Sequence, residues 1–336
     1  MELPNLLKQA VDAALNGKPV QDIARAAAAL SARYRAEVRD GRYHLADDQA
    51  ALAYLATRLP ATYAAIRSAL SMTAHEIPGF SPTTMLDVGA GPGTALWAAV
   101  DQWPSCNEAL MIEGSAAIRQ WGERLSAPLA REVSWKSGDI LIDLPQKDSP
   151  LSQRDLVTMG YVLDEISPDK RPALIERLWA LTSGVLFIIE PGTPAGHARI
   201  LAVREQLIKA GAHILAPCMH AATCPITAPD WCHFSRRVSR SRIHRLAKGG
   251  EVPWEDEKYI FIAAARTSVI AEWDADSGSC EGEAESSRIL ALPRGSGGRV
   301  QLKICQSDGS AVERTFSRRD GEAYKKARRA DWGDRL

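Results

Sequence analysis

The chain has no net charge, few cysteines and no long apolar run. Its 41 Lys and Arg balance its 41 Asp and Glu, so any attraction to phosphate must come from local patches. No stretch is apolar for long enough to span a bilayer. The first residues, MELPNLLKQAVDAAL, begin with an acid and carry apolar side chains at helical spacing. They lack both the basic-then-apolar layout of a secretory signal and the Arg- and Ser-rich, acid-poor look of an organelle presequence. These absences point to a cytoplasmic, bacterial setting. Only 6 cysteines occur in 336 residues. In a reducing compartment, cysteines that fall close together are more often metal-binding or catalytic than disulfide-forming.

The length implies two or three structural units. Residues 1–78 are rich in Ala and Leu with helical spacing, as in Ile23-Ala27-Leu30 and Leu52-Leu55-Leu59, and form an N-terminal helical region. Pro78-Gly79-Phe80-Ser81-Pro82 breaks it off. From there a strand, a glycine turn and a helix read across Thr84 to Ala99. Strands are expected at 109–112, 155–159 and 184–189, and helices at 115–126, 168–182 and 196–211. This alternation predicts an α/β fold with a mostly parallel, doubly wound, Rossmann-like sheet over 79–266. A late strand, Tyr259–Ala265, has an antiparallel partner in His233–Val238, and a Cys-rich insertion spans 213–256. Residues 267–336 are read as a linker, Thr267–Glu285, followed by a small basic β-rich module. Its strands are 288–292, 300–305 and 311–316, with Asp308-Gly309 as a turn and a basic helix over 321–330.

Asp87-Val88-Gly89-Ala90-Gly91-Pro92-Gly93 follows a strand and opens a helix. Glycines let backbone approach a ligand, and a helix N-terminus offers free N–H groups. The spacing is neither the G-x-G-x-x-G of a dinucleotide fold nor a P-loop. It resembles motif I of class I S-adenosylmethionine-dependent methyltransferases. That resemblance implies that Asp87, Gly89, Gly91 and Gly93 contact the methionine part of the cofactor. Glu113 ends the second strand and stands where a ribose-binding acid is expected. Asp139 matches the usual acid near the adenine edge. After the fourth strand the chain reads Gly160-Tyr161-Val162-Leu163-Asp164-Glu165-Ile166, not the Asn/Asp-Pro-Pro-aromatic motif of base-nitrogen methyltransferases, and no nucleophilic Cys stands there. Asp164 and Glu165 are the catalytic candidates, beside the plainer reading of a pair of acids at the start of a helix.

Cys218, Cys224 and Cys232 share one short stretch with three prolines and two histidines, and Cys305 follows well downstream on an expected strand. Prolines stop regular structure, so the three sulfurs are expected on an irregular loop. C-x5-C-x7-C is not a zinc-finger spacing. Four thiolates suit either a tetrahedral zinc or a 4Fe–4S cluster. Pro225 after Cys224 resembles the Cys-Pro that closes ferredoxin-type ligand runs, and His220 or His233 would complete a Cys3His zinc site instead. Charge is also uneven. Arg236, Arg237, Arg240, Arg242, Arg245 and Lys248 form an acid-free basic segment, and a second basic run spans Arg314–Arg329. Such patches favour a phosphate backbone; a solvated charged face is the bland alternative.

Asp87–Thr94, Glu190-Pro191-Gly192, the Cys218/Cys224 loop and Asp230-Trp231-Cys232-His233-Phe234-Ser235-Arg236-Arg237 together resemble a known group. Lys303-Ile304-Cys305 and Ala330-Asp331-Trp332-Gly333-Asp334 extend the likeness to the tail. The group is the methyltransferase-like family associated with the mitochondrial small ribosomal subunit, with its bacterial relatives. The resemblance implies a class I methyltransferase fold with a four-cysteine iron–sulfur site, S-adenosylmethionine binding, and association with the small ribosomal subunit, chiefly its rRNA, during assembly. It places Cys218, Cys224, Cys232 and Cys305 on the cluster ligands and leaves rRNA methylation undecided. The rival expectation is a methyltransferase of a small molecule or protein with a structural zinc.

Overall fold

The structure is a computed structural model, and it describes residues 1–145, 153–270 and 286–336. Four helices lead: α1 (Asn5–Leu15), α2 (Val20–Arg35), α3 (Asp48–Thr57) and α4 (Leu59–Glu76). In α1, Leu7, Val11 and Leu15 are buried four residues apart, and in α2 Ile23, Ala27 and Leu30 are buried, so each presents one apolar stripe inward. α3 begins where the Asp47 carboxylate accepts the Ala50 N–H at 2.8 Å.

The α/β region runs β1 (Thr84–Val88), α5 (Thr94–Gln102), β2 (Glu108–Ile112), α6 (Ala116–Ser126), β3 (Glu132–Lys136), β4 (Arg154–Gly160), α7 (Arg171–Ala180), β5 (Thr182–Pro191) and α8 (Pro194–Lys209). It continues with β6 (His213–Ala216), β7 (Phe234–Ser239), α9 (Arg242–Lys248) and β8 (Trp254–Ala265). One eight-stranded sheet has the order β3-β2-β1-β4-β5-β8-β6, with β7 also paired to β8. β1 pairs parallel with both β2 and β4, β2 pairs parallel with β3, and β8 runs antiparallel to β6. A strand inserted against the grain beside β6 is the class I methyltransferase arrangement, so the expected doubly wound sheet is borne out. Strand order reverses between β1 and β4, which is where open α/β sheets hold ligands.

The chain divides into two compact units: Met1–Leu70, Ser81–Phe187 and Arg236–Glu257 form the first, and Ser71–Phe80, Ile188–Ser235 and Lys258–Leu336 the second. The division falls inside α4, β5, β7 and β8. The second unit contains a four-stranded sheet of β9 (Ser287–Ile289), β10 (Arg294–Ser296), β11 (Arg299–Gln306) and β12 (Ala311–Ser317). Helix α10 (Glu322–Arg329) buries Ala327 against Ile289, Val300, Leu302, Ile304 and Phe316. Each such Ile, Leu or Phe contributes about 1.5–3 kcal/mol when buried. The tail then pairs back: Ile289 donates to Asp334 O at 3.0 Å, Gly333 to Ile289 O at 2.9 Å and Leu336 to Ser287 O at 2.9 Å.

Several boundaries differ from expectation for local reasons. α7 is shorter than 168–182 because Pro172 sits in its first turn and the chain turns at Leu181 into β5. α8 starts early because the Thr193 hydroxyl accepts the Gly196 N–H at 3.1 Å and Pro194 occupies the first turn. The expected linker Thr267–Glu285 lies outside the described residues from 271 onward. Among the described residues no helix is long and apolar enough to cross a membrane.

Candidate functional site

The glycine turn lies in the first unit, between β1 and α5. Gly89, Gly91 and Gly93 all have positive φ, at 70°, 53° and 80°. This left-handed backbone suits glycine and strains any L side chain. Gly89 has a second constraint, since a Cβ there would stand 2.5 Å from Val162 Cγ2 in the turn after β4. A Cβ on Gly91 would meet nothing within 4 Å, so that backbone is open to a ligand. The turn is moored to β2: Gly89 and Ala90 donate to Ile112 O at 2.9 and 3.0 Å.

Asp87 is buried on β1, opposite Thr158 on β4. Its Oδ1 accepts the Thr158 hydroxyl at 2.6 Å, and its Oδ2 is buried with no hydrogen-bond partner among the described residues. Burial, helped by the nearby Glu113 charge, pushes its carboxyl up to about 7 against the pull of the Thr158 bond. An unpartnered buried carboxylate oxygen at a strand end fits a cationic amino-acid head. Glu113 is also buried, and its carboxylate accepts Gly91 N–H at 2.9 Å and Ser115 N–H at 2.7 Å. Burial raises its carboxyl despite these bonds. In this structure Glu113 braces the glycine turn against α6. Asp139 is exposed and organises its own turn, accepting the Leu141 N–H at 2.8 Å.

Asp164 is buried, and its main-chain oxygen accepts Arg39 Nε at 2.5 Å. Glu165 Oε1 stands 3.9 Å from His44 Nε2. Both acids lie on the loop that packs Val162 against Gly89.

The cysteine site lies in the second unit. Cys218, Cys224, Cys232 and Cys305 line a single cavity, together with His197, Arg204 and His220. None of the four is in a disulfide. Cys305 arrives on β11, and its Sγ stands 3.4 Å from His220 Nε2. Burial raises the thiols of Cys218, Cys232 and Cys305, the last to about 12, and the negative charges of their sulfur neighbours add to the shift. Two buried arginines frame the loop. Arg204 Nη2 donates to His220 O at 2.6 Å and Ala222 O at 2.8 Å. Arg288 donates to Pro217 O at 3.2 Å, Gly333 O at 2.9 Å and Glu76 Oε1 at 2.6 Å. Four cysteines lining one cavity supply the donor type that a thiolate-ligated centre uses. Among the described residues, however, no group of three or more His, Cys, Asp or Glu is drawn close enough to hold a metal ion.

The basic segment is partly neutralised. Arg237 forks onto Asp256 at 2.8 and 3.0 Å. Arg240 at 3.0 Å and Lys248 at 2.8 Å both reach Glu255. Burial works against the Glu255 charge, yet bonds from His244 and Lys248 hold it well below the usual carboxylate range. Arg236, Arg242 and Arg245 are left without an ion pair among the described residues. The segment runs from the end of β7, which carries Arg236 and Arg237, into helix α9, whose Ser241 cap accepts the His244 N–H at 3.1 Å.

Sequence reasoning did not single out Thr158, Arg204 or Arg288. Thr158 was within reach, because it stands on an expected strand beside β1. The two arginines were not, since nothing in the sequence marks an arginine as buried.

The sheet order and the glycine turn at its switch point define a protein with the class I methyltransferase fold. The chain belongs to the family described as mitochondrial small ribosomal subunit Rsm22, whose profile matches residues 48–336. It is 29% identical over 309 residues to the ribosome assembly protein METTL17, mitochondrial, of Homo sapiens, covering 85% of this chain and 62% of that protein. It is 23% identical over 326 residues to the Rsm22-cox11 tandem protein 2, mitochondrial, of Schizosaccharomyces pombe, covering 85% of this chain and 43% of that protein. The chain thus spans less than two thirds of either relative. Among solved structures it is similar to magnesium protoporphyrin IX methyltransferase from Synechocystis PCC 6803 (13% identity, TM-score 0.40, 70% of this chain and 91% of that one). It is also similar to a SAM dependent methyltransferase from Aquifex aeolicus (15% identity, TM-score 0.39, 63% and 94%). The fold assignment rests on the strand order itself. The expectation of a bacterial cytoplasmic protein is overturned, because the family and these curated relatives are mitochondrial. That expectation leaned on the composition of the first residues, which says nothing of compartment for a chain spanning only part of its relatives.

Proposed function

We propose that the chain acts in assembly of the small ribosomal subunit, docking on its rRNA, with S-adenosylmethionine held at the glycine turn and a 4Fe–4S cluster held by Cys218, Cys224, Cys232 and Cys305. Family membership over residues 48–336 is the observation that carries this reading. In it, Asp87 Oδ2 faces the cofactor's cationic amino-acid end, and the open side of Gly91 admits its backbone. Glu113 and Asp139 mark the ribose and base. Bound S-adenosylmethionine supplies an electrophilic methyl group, and Asp164 and Glu165 border the side from which an acceptor would approach.

The thiol cavity supports the second part. Cys305 on the last sheet and three cysteines on one loop would be joined by a single inorganic core, cross-linking the C-terminal module to that loop. Metal binding would then contribute to folding, since thiolates form only as protons are displaced. Arg236, Arg242 and Arg245 serve the RNA phosphates in this reading. Arg237, Arg240 and Lys248 serve mainly to hold Asp256 and Glu255.

Co-sedimentation of the anaerobically isolated chain with small-subunit particles tests the assignment. Association that weakens steeply with salt, and that is lost in Cys218→Ser together with iron, supports it. A chain that carries zinc, ignores the particles and methylates a small molecule or protein would overturn it in favour of the rival enzyme.

A further inference from the structure

Residues 36–47, between α2 and α3, form a strap tied down on both sides of the cofactor cleft. At one end Arg39 Nε donates to Asp164 O at 2.5 Å, in the turn after β4. At the other the Ser115 hydroxyl donates to Leu45 O at 2.6 Å, just before α6. β2 and β4 flank β1 in the sheet, so the strap passes above the carboxyl end of β1, where the glycine turn lies. Its shape is fixed internally. Arg33 forks onto Asp40 at 2.9 and 3.1 Å, and the His44 ring packs on Tyr34 with centroids 4.9 Å apart.

The strap carries one large aromatic side chain that is not sequestered: Tyr43 is 48% exposed. Its tip rests on Gly114, the residue directly after Glu113. A methyl group at position 114 would stand 2.6 Å from Tyr43 Cζ and 2.9 Å from Cε1, so glycine is required for the ring to lie there. Burial, followed by the charges of Asp139 and Glu113, raises the Tyr43 phenol. Between the acids assigned to ribose and base, the main chain at Gly114 therefore offers no side chain, and Tyr43 fills that place from the strap.

We infer that Tyr43 is the aromatic platform on which the purine of the nucleoside cofactor stacks. The inference rests on the reading that this cleft holds S-adenosylmethionine. A half-exposed ring, held by a strap moored at both ends, is available to stack at little ordering cost. Base–aromatic stacking is worth about 5- to 150-fold in affinity.

The test is calorimetric titration of the full chain with S-adenosylhomocysteine. Tyr43→Phe and Tyr43→Trp should bind about as the parent does. Tyr43→Ala and Tyr43→Leu should weaken binding by about 5- to 150-fold, Leu because it fills the space without a π-face. Gly114→Ala, which pushes the ring away, should weaken it similarly. All these Tyr43 variants should melt with the parent, because the side chain is half exposed. If Tyr43→Leu binds as tightly as the parent, the platform is refuted while the cofactor reading stands. If Tyr43→Ala binds more tightly, the ring is a plug and the inference fails. If the parent binds no S-adenosylhomocysteine, the cofactor reading and the platform fall together.

Discussion

Asp87→Asn removes a carboxyl group that the fold holds near pH 7. In the unfolded chain the group has its ordinary value of 3.8, and in the fold about 7, chiefly through burial. Between these values the folded state keeps a proton that the unfolded state has lost. Stability from this site is therefore fully present below about pH 4 and is lost as pH rises through 7. The slope is about 1.4 kcal/mol per pH unit, and the full span is about 4 kcal/mol. Asparagine retains an acceptor for the Thr158 hydroxyl and carries no charge. The variant should match the parent within about 1 kcal/mol at pH 4, exceed it by about 2 kcal/mol at pH 5 and by about 4 kcal/mol at pH 8. Urea unfolding of both proteins across this range checks it. Parallel stability curves, or a variant weaker than the parent at pH 8, would mean that Asp87 is ionised and satisfied in the fold. The functional consequence is direct. A cationic ligand beside Oδ2 stabilises the ionised form, so the group that weakens the ligand-free fold above pH 7 favours a bound cofactor.

The two glycines of the turn should separate strain from clash. Gly91→Ala should cost about 1–2 kcal/mol in thermal unfolding from backbone strain alone, and Gly89→Ala about 1–3 kcal/mol more through overlap with Val162. Arg288→Ala should cost about 3–5 kcal/mol, because it leaves Glu76 and two carbonyls partly unserved in a buried setting; a loss under 1 kcal/mol in urea unfolding would contradict the pairing. Glu255→Gln should release Arg240 and Lys248 and steepen the log–log salt dependence of RNA binding by about 1–2 contacts, as read by titration of an rRNA fragment.

The sequence made the cofactor turn legible because backbone demands there are extreme: three glycines with left-handed φ between a strand and a helix leave a plain signature. Alternation of apolar strands with helical spacing likewise announced the sheet. β3 and β6 were missed. β3 alternates half-buried with exposed residues over only five positions, and β6 has four residues, too few for a periodic signal. The basic segment at 236–248 was visible as composition, but its partners were not. Glu255 and Asp256 stand on β8, and only the fold returns them to Arg237 on β7, to Arg240 and to Lys248 on α9. The four cysteines show the same division. Three of them share a loop whose prolines are plain in the sequence, whereas Cys305 sits on a strand and joins the cavity only through the packing of the C-terminal sheet. Tyr43 had no signal of its own, because its significance comes from the missing side chain at Gly114, a contact across 71 residues of chain.

The central claim is tested most directly by sedimenting the anaerobically isolated chain with small ribosomal subunits and counting protein and iron in the particle fraction. Both should travel with the particles at low salt, about four irons per chain for a 4Fe–4S cluster, and both should leave together in Cys305→Ser. Protein that stays at the top of the gradient, or that sediments without iron and is indifferent to Cys305→Ser, would contradict it.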